Sequence, residues 1–469
     1  MRFCYLLLFT LFFCTLFINL QAQQHDNIWM WGYESELPHP KLGGMNMDFH
    51  YQPPLMYAQK RKINLGSYCG VCSDSTGHLA FYSNGISIQD TTHNKMMNGD
   101  TINPGYIWNN WHNDYFPNGP FCFALPAPAQ PNHYYFFHVS GQYSPAANAF
   151  VSSPFYWTLI DMNANNGLGK VVQKNQVLIP DGDLLVPVAV KHGNGRDWWV
   201  ITGIVGEPVL YTFLLDATGI HGPFETPVAN EFPGPGYISA NAISPDGRTY
   251  VRCDGINGLH IYDFDRCSGA FSNLRVVPFG ENVFGFATVF APDGRHLYIS
   301  SWEMITVIDI AAEDISATFD TLAYFDGNAA PQEPFLTAFW YPHLGSDGKI
   351  YYATTNSTLA MHLIHRPDLP GHAADVEQHG LVLPKYNSGT MCLFPNYRLG
   401  EWEDSPCDTL NGGHAGDGFI HLPYLAPPVS PLEAYRVLSP LGKPRKPGSA
   451  PSVMPPSPLE MEMKRKNRR

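Results

Sequence analysis

Past residue 20 the chain has no apolar run long enough to cross a membrane as a helix, and few windows space apolar residues three and four apart. The first absence excludes a multi-span membrane protein, and the second excludes a helical bundle. Charge is scarce as well, at 15% of 469 residues, and unevenly signed. From Lys443 onward eight Lys or Arg stand against two Glu, a balance of +6, so the rest of the −13 chain carries −19. A body this acidic repels phosphate backbones, which argues against a nucleic-acid partner. Reaction motifs are missing too. There is no nucleophile elbow, no Walker loop and no dinucleotide fingerprint, so no catalytic residue and no cofactor is assigned. Cys69-Gly-Val-Cys72 has the spacing of half a zinc site, but no second CxxC or HxxxH completes four ligands, and no metal site is assigned.

What is present divides the chain in three. Residues 1–22 place one Arg before an apolar run closing on Leu20-Gln21-Ala22, the pattern of a cleaved export signal. No basic residues follow Ala22 to stop transfer, so no transmembrane segment is expected once the signal is removed. Residues 23–410 are aromatic-rich and crowded with Gly and Pro, a composition of strands and tight turns. Residues 411–469 are Pro-rich and end in a basic cluster, the composition of a disordered tail. Of the seven cysteines after residue 22, the expected disulfides are Cys253 with Cys267, on neighbouring strands of one hairpin, and Cys392 with Cys407. Seven is odd, so at least one thiol stays unpaired or pairs elsewhere.

The body repeats itself. "SPDGRTYVRC", "APDGRHLYIS" and "GSDGKIYYAT" share a turn followed by an alternating strand, and "DSTGHLAFYS", "QPNHYYFFHV" and "GNGRDWWVIT" follow the same plan. The turn residues Gly77, Asn132, Gly195, Gly247, Gly294 and Gly348 are separated by 55, 63, 52, 47 and 54 residues. A period near fifty marks a repeat architecture. Each unit continues with a second alternating strand ("LHIYDFD", "ITVIDIA") and a third apolar stretch, which makes a blade of short antiparallel strands. One blade has two apolar faces, and only stacking around an axis covers both. The expected fold is all-β, a β-propeller with seven blades favoured over six. In the seven-blade form the last blade is closed by strands from both chain ends, around "NIWMWG" and "GTMCLFPNYRLGEW".

Candidate sites are few. "DMNANNGLG", Asp161 to Gly169, alternates oxygen side chains as a calcium loop does, but its Gly comes one place late and Val172 stands where a closing Glu belongs, so it reads as a turn. His362 and His365 are at odd separation in a strand and point to opposite faces. His192 reads as a surface residue in an exposed turn. Adjacent Trp198 and Trp199 read as packing on the two faces of one strand. The segment Tyr106 to Pro120, "YIWNNWHNDYFPNGP", has no strand alternation and lies between two blades. As a rim loop, its Trp108, Trp111 and Tyr115 would stack on sugar rings or grip a protein, with His112 supplying hydrogen bonds.

Taken in order, "NIWMWG", "SDSTGHLAFYSNG", "LIDMNANNGLGKVVQKN", "KHGNGRDWWV", "SPDGRTYV", "LHIYDFDRCSGAFSN", "SDGKIYYA" and "FPNYRLG" resemble a family of exported bacterial β-propellers with WD40- or YVTN-like repeats. These are large surface proteins that often carry a type IX secretion sorting domain. The resemblance covers about residues 27 to 410 and implies export and a propeller body; it supplies no catalytic residues. No sorting domain is recognised after Leu410, which leaves the periplasm as an alternative to the cell surface. The expected function is a secreted or envelope binding scaffold that engages a glycan or an extracellular protein through one rim. The alternative is a propeller hydrolase or lyase acting on polysaccharide or peptide.

Overall fold

The computed structural model describes residues 23–66, 69–114, 116, 122–144, 149–228, 240–255, 258–279, 285, 287–328, 335–403 and 405–407. Residues 1–22, where an export signal is expected, residues 411–469, where a disordered tail is expected, and Tyr115 lie outside the described residues. Seven small antiparallel sheets form the seven blades of a propeller. Blade one comprises Ile28–Gly32, Gly44–Asp48 and Leu55–Gln59, and blade two comprises Gly70–Ser73, Leu79–Ser83 and Ile88–Gln89. The remaining five have four strands each. They open with Cys122–Pro126, Val188–Lys191, Ala240–Ile243, Ala287–Phe290 and Phe339–Leu344, and close with Lys170–Ile179, Gly219–Pro227, Phe271–Pro278, Asp320–Tyr324 and Val376–Ser388. First strands of neighbouring blades lie against one another, so they line the axis. No helix among the described residues is long and apolar enough to cross a membrane.

All six repeated turns fall at the same place, between the first and second strands of blades two to seven. Each turn residue has positive φ: 91° at Gly77, 61° at Asn132, 72° at Gly195, 74° at Gly247, 67° at Gly294 and 80° at Gly348. Gly and Asn reach that region at least cost, which is why the sequence repeats them there. The aspartate before the Gly holds the turn, as where Asp293 Oδ1 accepts from the backbone N–H groups of Arg295 and His296 at 2.8 and 3.0 Å.

Burial joins blade to blade. Trp199 and Ile201 of blade four pack with Tyr250 and Phe264 of blade five, and Val251 and Ile261 of blade five with Leu297 and Ile299 of blade six. The ring closes where Trp29, Trp31, Met45 and Met47 of blade one meet Tyr351, Met361 and Leu383 of blade seven. Fully burying one such Trp removes roughly 200 Å² from water, about 5 kcal/mol before entropy is counted. Trp198 and Trp199 are both buried and serve two different core clusters, as expected of adjacent strand residues.

The first and last stretches of the described body meet, but not as one ladder. Blade one takes all three of its strands from residues 28–59, and residues 389–399 contain no strand. Local chemistry explains the difference. The Asn387 side chain donates to the Thr390 carbonyl at 2.9 Å and accepts from the Thr390 N–H at 3.0 Å, taking both groups that a ladder would use. Pro395 then has no N–H to offer. The disulfide also departs from expectation: Cys267 is bonded to Cys407, and neither Cys253 nor Cys392 takes part in that bond. Cys253 pairs in register with Leu259, at the start of the strand Gly258–Phe264, whereas Cys267 lies in the turn beyond the far end of that strand. The hairpin thus holds the two cysteines at opposite ends.

Candidate functional site

The aromatic rim segment is a short helix, Tyr106–Trp111, rather than an open loop. Ile107 and Trp111, four residues apart, turn inward, and Trp111 is only 4% exposed within the core shared by blades two to four. It therefore packs and cannot receive a ligand. Trp108 is half-buried and stacks on exposed His112 at 5.4 Å, and the His112 ring is bonded to the Trp108 carbonyl at 2.8 Å. Of the four proposed rim residues, then, two stand side by side, one belongs to the core, and Tyr115 is outside the described residues. His192 is buried rather than exposed, bonded to the Cys267 carbonyl at 2.9 Å. Asp161 to Gly169 is the connection between the last two strands of blade three, and Asp161 Oδ1 accepts from the Asn163 N–H at 2.8 Å.

Propeller enzymes collect residues around the axis, so its state matters. Here residues 389–402 leave blade seven and cross the ring. Met391 and Cys392 are fully buried beside blade one, and Phe394 stacks on Trp29 at 5.9 Å and lies 5.6 Å from His343 of blade seven. Tyr397, also fully buried, donates to the carbonyl of Ala124 in blade three at 2.5 Å and presents its ring edgewise to Trp198 of blade four. Asn396 donates to Pro245 O in blade five at 2.8 Å, the Trp402 N–H to Gly193 O in blade four at 2.7 Å, and Arg266 to Gly400 O at 2.5 Å. Arg398 pairs with Asp26, and the disulfide fixes Cys407 to blade five. The segment touches blades one, three, four, five and seven, and at blades four and five it meets the repeated turns.

Beneath it lies Lys191, 5% exposed, its Nζ 5.3 Å from the Trp198 ring centre. Burial, aided by the charge of Arg266, lowers its amine to about 8. Burial also lowers His25 to about 4 and raises the Asp26 carboxyl in spite of Arg398.

An open site lies on the outside, in a cleft of about 430 Å³ between blades one and two. Blade one supplies Asn46, Asp48, Tyr57 and Gln59, and blade two supplies His78 and Leu79. His93 lines one side, and Tyr51, 54% exposed, stands at the edge. Strand alternation puts Asn46 and Asp48 on one face, with Tyr57 paired opposite Asn46 in register. Asn46 is fixed from both sides: its amide donates to Tyr57 Oη at 3.2 Å, and its carbonyl accepts from buried Arg61 at 2.9 Å. His50 has Nδ1 2.7 Å from Asp48 Oδ1, with the Asn27 amide beside the same nitrogen, and Nε2 3.1 Å from Thr76 O. Burial works against the imidazolium, but the Thr76 carbonyl and the Asp48 carboxylate outweigh it and raise the His50 pKa. His78 stands with its ring 5.2 Å from that of His50.

The cleft therefore offers fixed amides, one carboxylate–imidazole pair and two tyrosine rings. Its lining includes no Ser, Cys or Lys to act as a nucleophile, and a single carboxylate where glycoside hydrolysis uses two. Its residues come from a strand pair, a turn and a loop whose sequence spacing fits no motif. The weak signal available was the polar alternation of "GMNMD" beside a blade edge.

No protein-family profile matches the chain, and no curated protein sequence does. Among solved structures, the chain is similar to a candidate 6-phosphogluconolactonase from Bacteroides uniformis, at 11% identity and TM-score 0.45 over 76% of this chain and 97% of that one. It is also similar to a gluconolactonase from Xanthomonas campestris, at 10% identity and TM-score 0.31 over 70% and 92% of the two chains. Sqt1 of Saccharomyces cerevisiae is similar at 10% identity and TM-score 0.37, over 78% and 82%.

Proposed function

We propose that this protein is a non-catalytic binding scaffold that holds a glycan in the cleft between blades one and two. One observation carries the reading: the cleft between blades one and two is open and lined by pre-positioned polar groups beside tyrosine rings. Fixed amides and carboxylates suit the hydroxyls of a sugar, and tyrosine faces suit its C–H surface. The placement differs from the helix rim expected from sequence, because Trp111 is committed to the core. Residence outside the cytoplasm is part of the same proposal, supported by the Cys267–Cys407 disulfide, a bond that persists in oxidising compartments.

The test is a glycan array followed by calorimetric titration of the best ligand. Replacing exposed Tyr51 with Ala removes one stacking face, so affinity falls roughly two- to tenfold. Asp48→Asn, which also discharges the His50 partner, weakens binding further. Unchanged affinity in both variants, or turnover of chromogenic glycosides by the wild type, overturns the reading.

A further inference from the structure

Cys69 and Cys392 are 323 residues apart in the chain, and their sulfurs are 2.9 Å apart. Both are fully buried. Both thiols also point at one acceptor, the carbonyl of Met30 in blade one, at 3.2 Å from Cys69 and 3.4 Å from Cys392. Two sulfurs at this separation are inside van der Waals contact and short of a covalent bond. Chance packing of unrelated small residues does not direct two thiols to the same point.

The surroundings favour sulfur chemistry. The Arg61 guanidinium is 2% exposed; its Nη2 donates to Met45 O at 2.8 Å and to Asn46 Oδ1 at 2.9 Å. Its Nε and Nη1 are buried and have no hydrogen-bond partner, and no carboxylate pairs with it among the described residues. The charge of this cation acts on both Cys69 and Cys392. At Cys69 burial outweighs that attraction in the closed fold and raises the thiol, so the thiolate that exchanges belongs to the open chain.

We propose that Cys69 and Cys392 form a second disulfide, which ties the crossing segment to blade two as Cys267–Cys407 ties its far end to blade five. The bond forms by exchange with a small-molecule disulfide such as glutathione disulfide. One cysteine, as thiolate, attacks a glutathione sulfur and expels one glutathione thiolate. The other then attacks the mixed disulfide and expels the second. Two thiol protons and two electrons leave the protein, and two reduced glutathione molecules carry them. Burial pushes the Cys69 thiol well above its ordinary range in the closed fold, so the exchange belongs to the folding stage, before residues 389–402 seal over it. This pairing leaves Cys72, Cys122 and Cys253 as the thiols of the body.

The test uses the full chain refolded in a glutathione redox buffer, unfolded in denaturant with iodoacetamide, and digested without reduction. Mass spectrometry with fragmentation is expected to find a Cys69–Cys392 cross-link beside Cys267–Cys407, with the other three body cysteines alkylated. A second readout uses Cys407→Ser, in which dithiothreitol still lowers the melting temperature, and Cys392→Ser with Cys407→Ser, in which it no longer does. Should the variants not fold, the map of the wild type decides. Recovery of alkylated Cys69 and Cys392 from protein in which Cys267–Cys407 has formed overturns the proposal. A cross-link from Cys69 to Cys72 or Cys122 overturns it equally.

Discussion

Residues 389–402 pack against the inner strands of the blades, and Tyr397 is the side chain that reports it. It is fully buried, presents its ring to Trp198 at 5.7 Å and to His25 at 5.2 Å, and donates its hydroxyl to Ala124 O at 2.5 Å. Truncating a buried aromatic to Ala costs about 3–5 kcal/mol, from lost transfer energy and from the cavity left behind. Tyr397→Phe keeps the ring and removes the hydroxyl, leaving a buried carbonyl without that donor, at about 1 kcal/mol and no more than about 3. For a cooperative unit of roughly 380 residues, an unfolding entropy of about 2 cal/mol/K per residue makes about 4 kcal/mol worth roughly 5 °C. Scanning calorimetry should therefore show Tyr397→Ala melting about 5 °C below the wild type and Tyr397→Phe about 1 °C below. The two variants differ in ring burial alone, so their ratio separates axial packing from the single hydrogen bond. A shift under about 1 °C for Tyr397→Ala means that the segment does not pack between the blades, and the reasoning fails there.

Two further expectations follow from the same structure. The Cys267–Cys407 bond spans 140 residues, for which loop-closure entropy predicts up to about 5 kcal/mol, so Cys407→Ser should lower the melting temperature by several degrees under oxidising conditions. A wild type indifferent to dithiothreitol contradicts it. Acid sensitivity comes from histidines buried neutral: burial lowers His138 to about 3 and His362 to about 4. Each depressed value contributes stability that is present above the unfolded pKa of 6.5 and is lost as pH falls toward the folded value. Between pH 7 and 5 each such histidine removes about 2 kcal/mol. Urea midpoints should accordingly drop steadily over that interval, and a midpoint independent of pH there refutes the assignment of neutral buried rings.

Much of the fold was legible because its rules are local. Positive φ at a turn is decided within four residues, so Gly77, Asn132, Gly195, Gly247, Gly294 and Gly348 could announce six blades without any long-range information. Strand alternation likewise resolved Trp198 and Trp199 onto two faces. The helix at Tyr106–Trp111 was available too, in the four-residue spacing of Ile107 and Trp111, but aromatic crowding suggested a loop. The first blade lacked a repeated turn, so its composition from residues 28–59 alone could not be read from the period.

By itself the sequence determined the blade and its repetition, because hydrogen-bond geometry and backbone preference act between near neighbours. Only the tertiary structure decided which cysteine meets which, which blades the segment 389–402 joins, and which polar groups share a cleft. Those relations join residues such as Cys267 with Cys407, Tyr397 with Ala124, and Asp48 with the turn at His78. They arise when the circle of blades closes and brings distant stretches together, and no property of either partner alone encodes the distance between them.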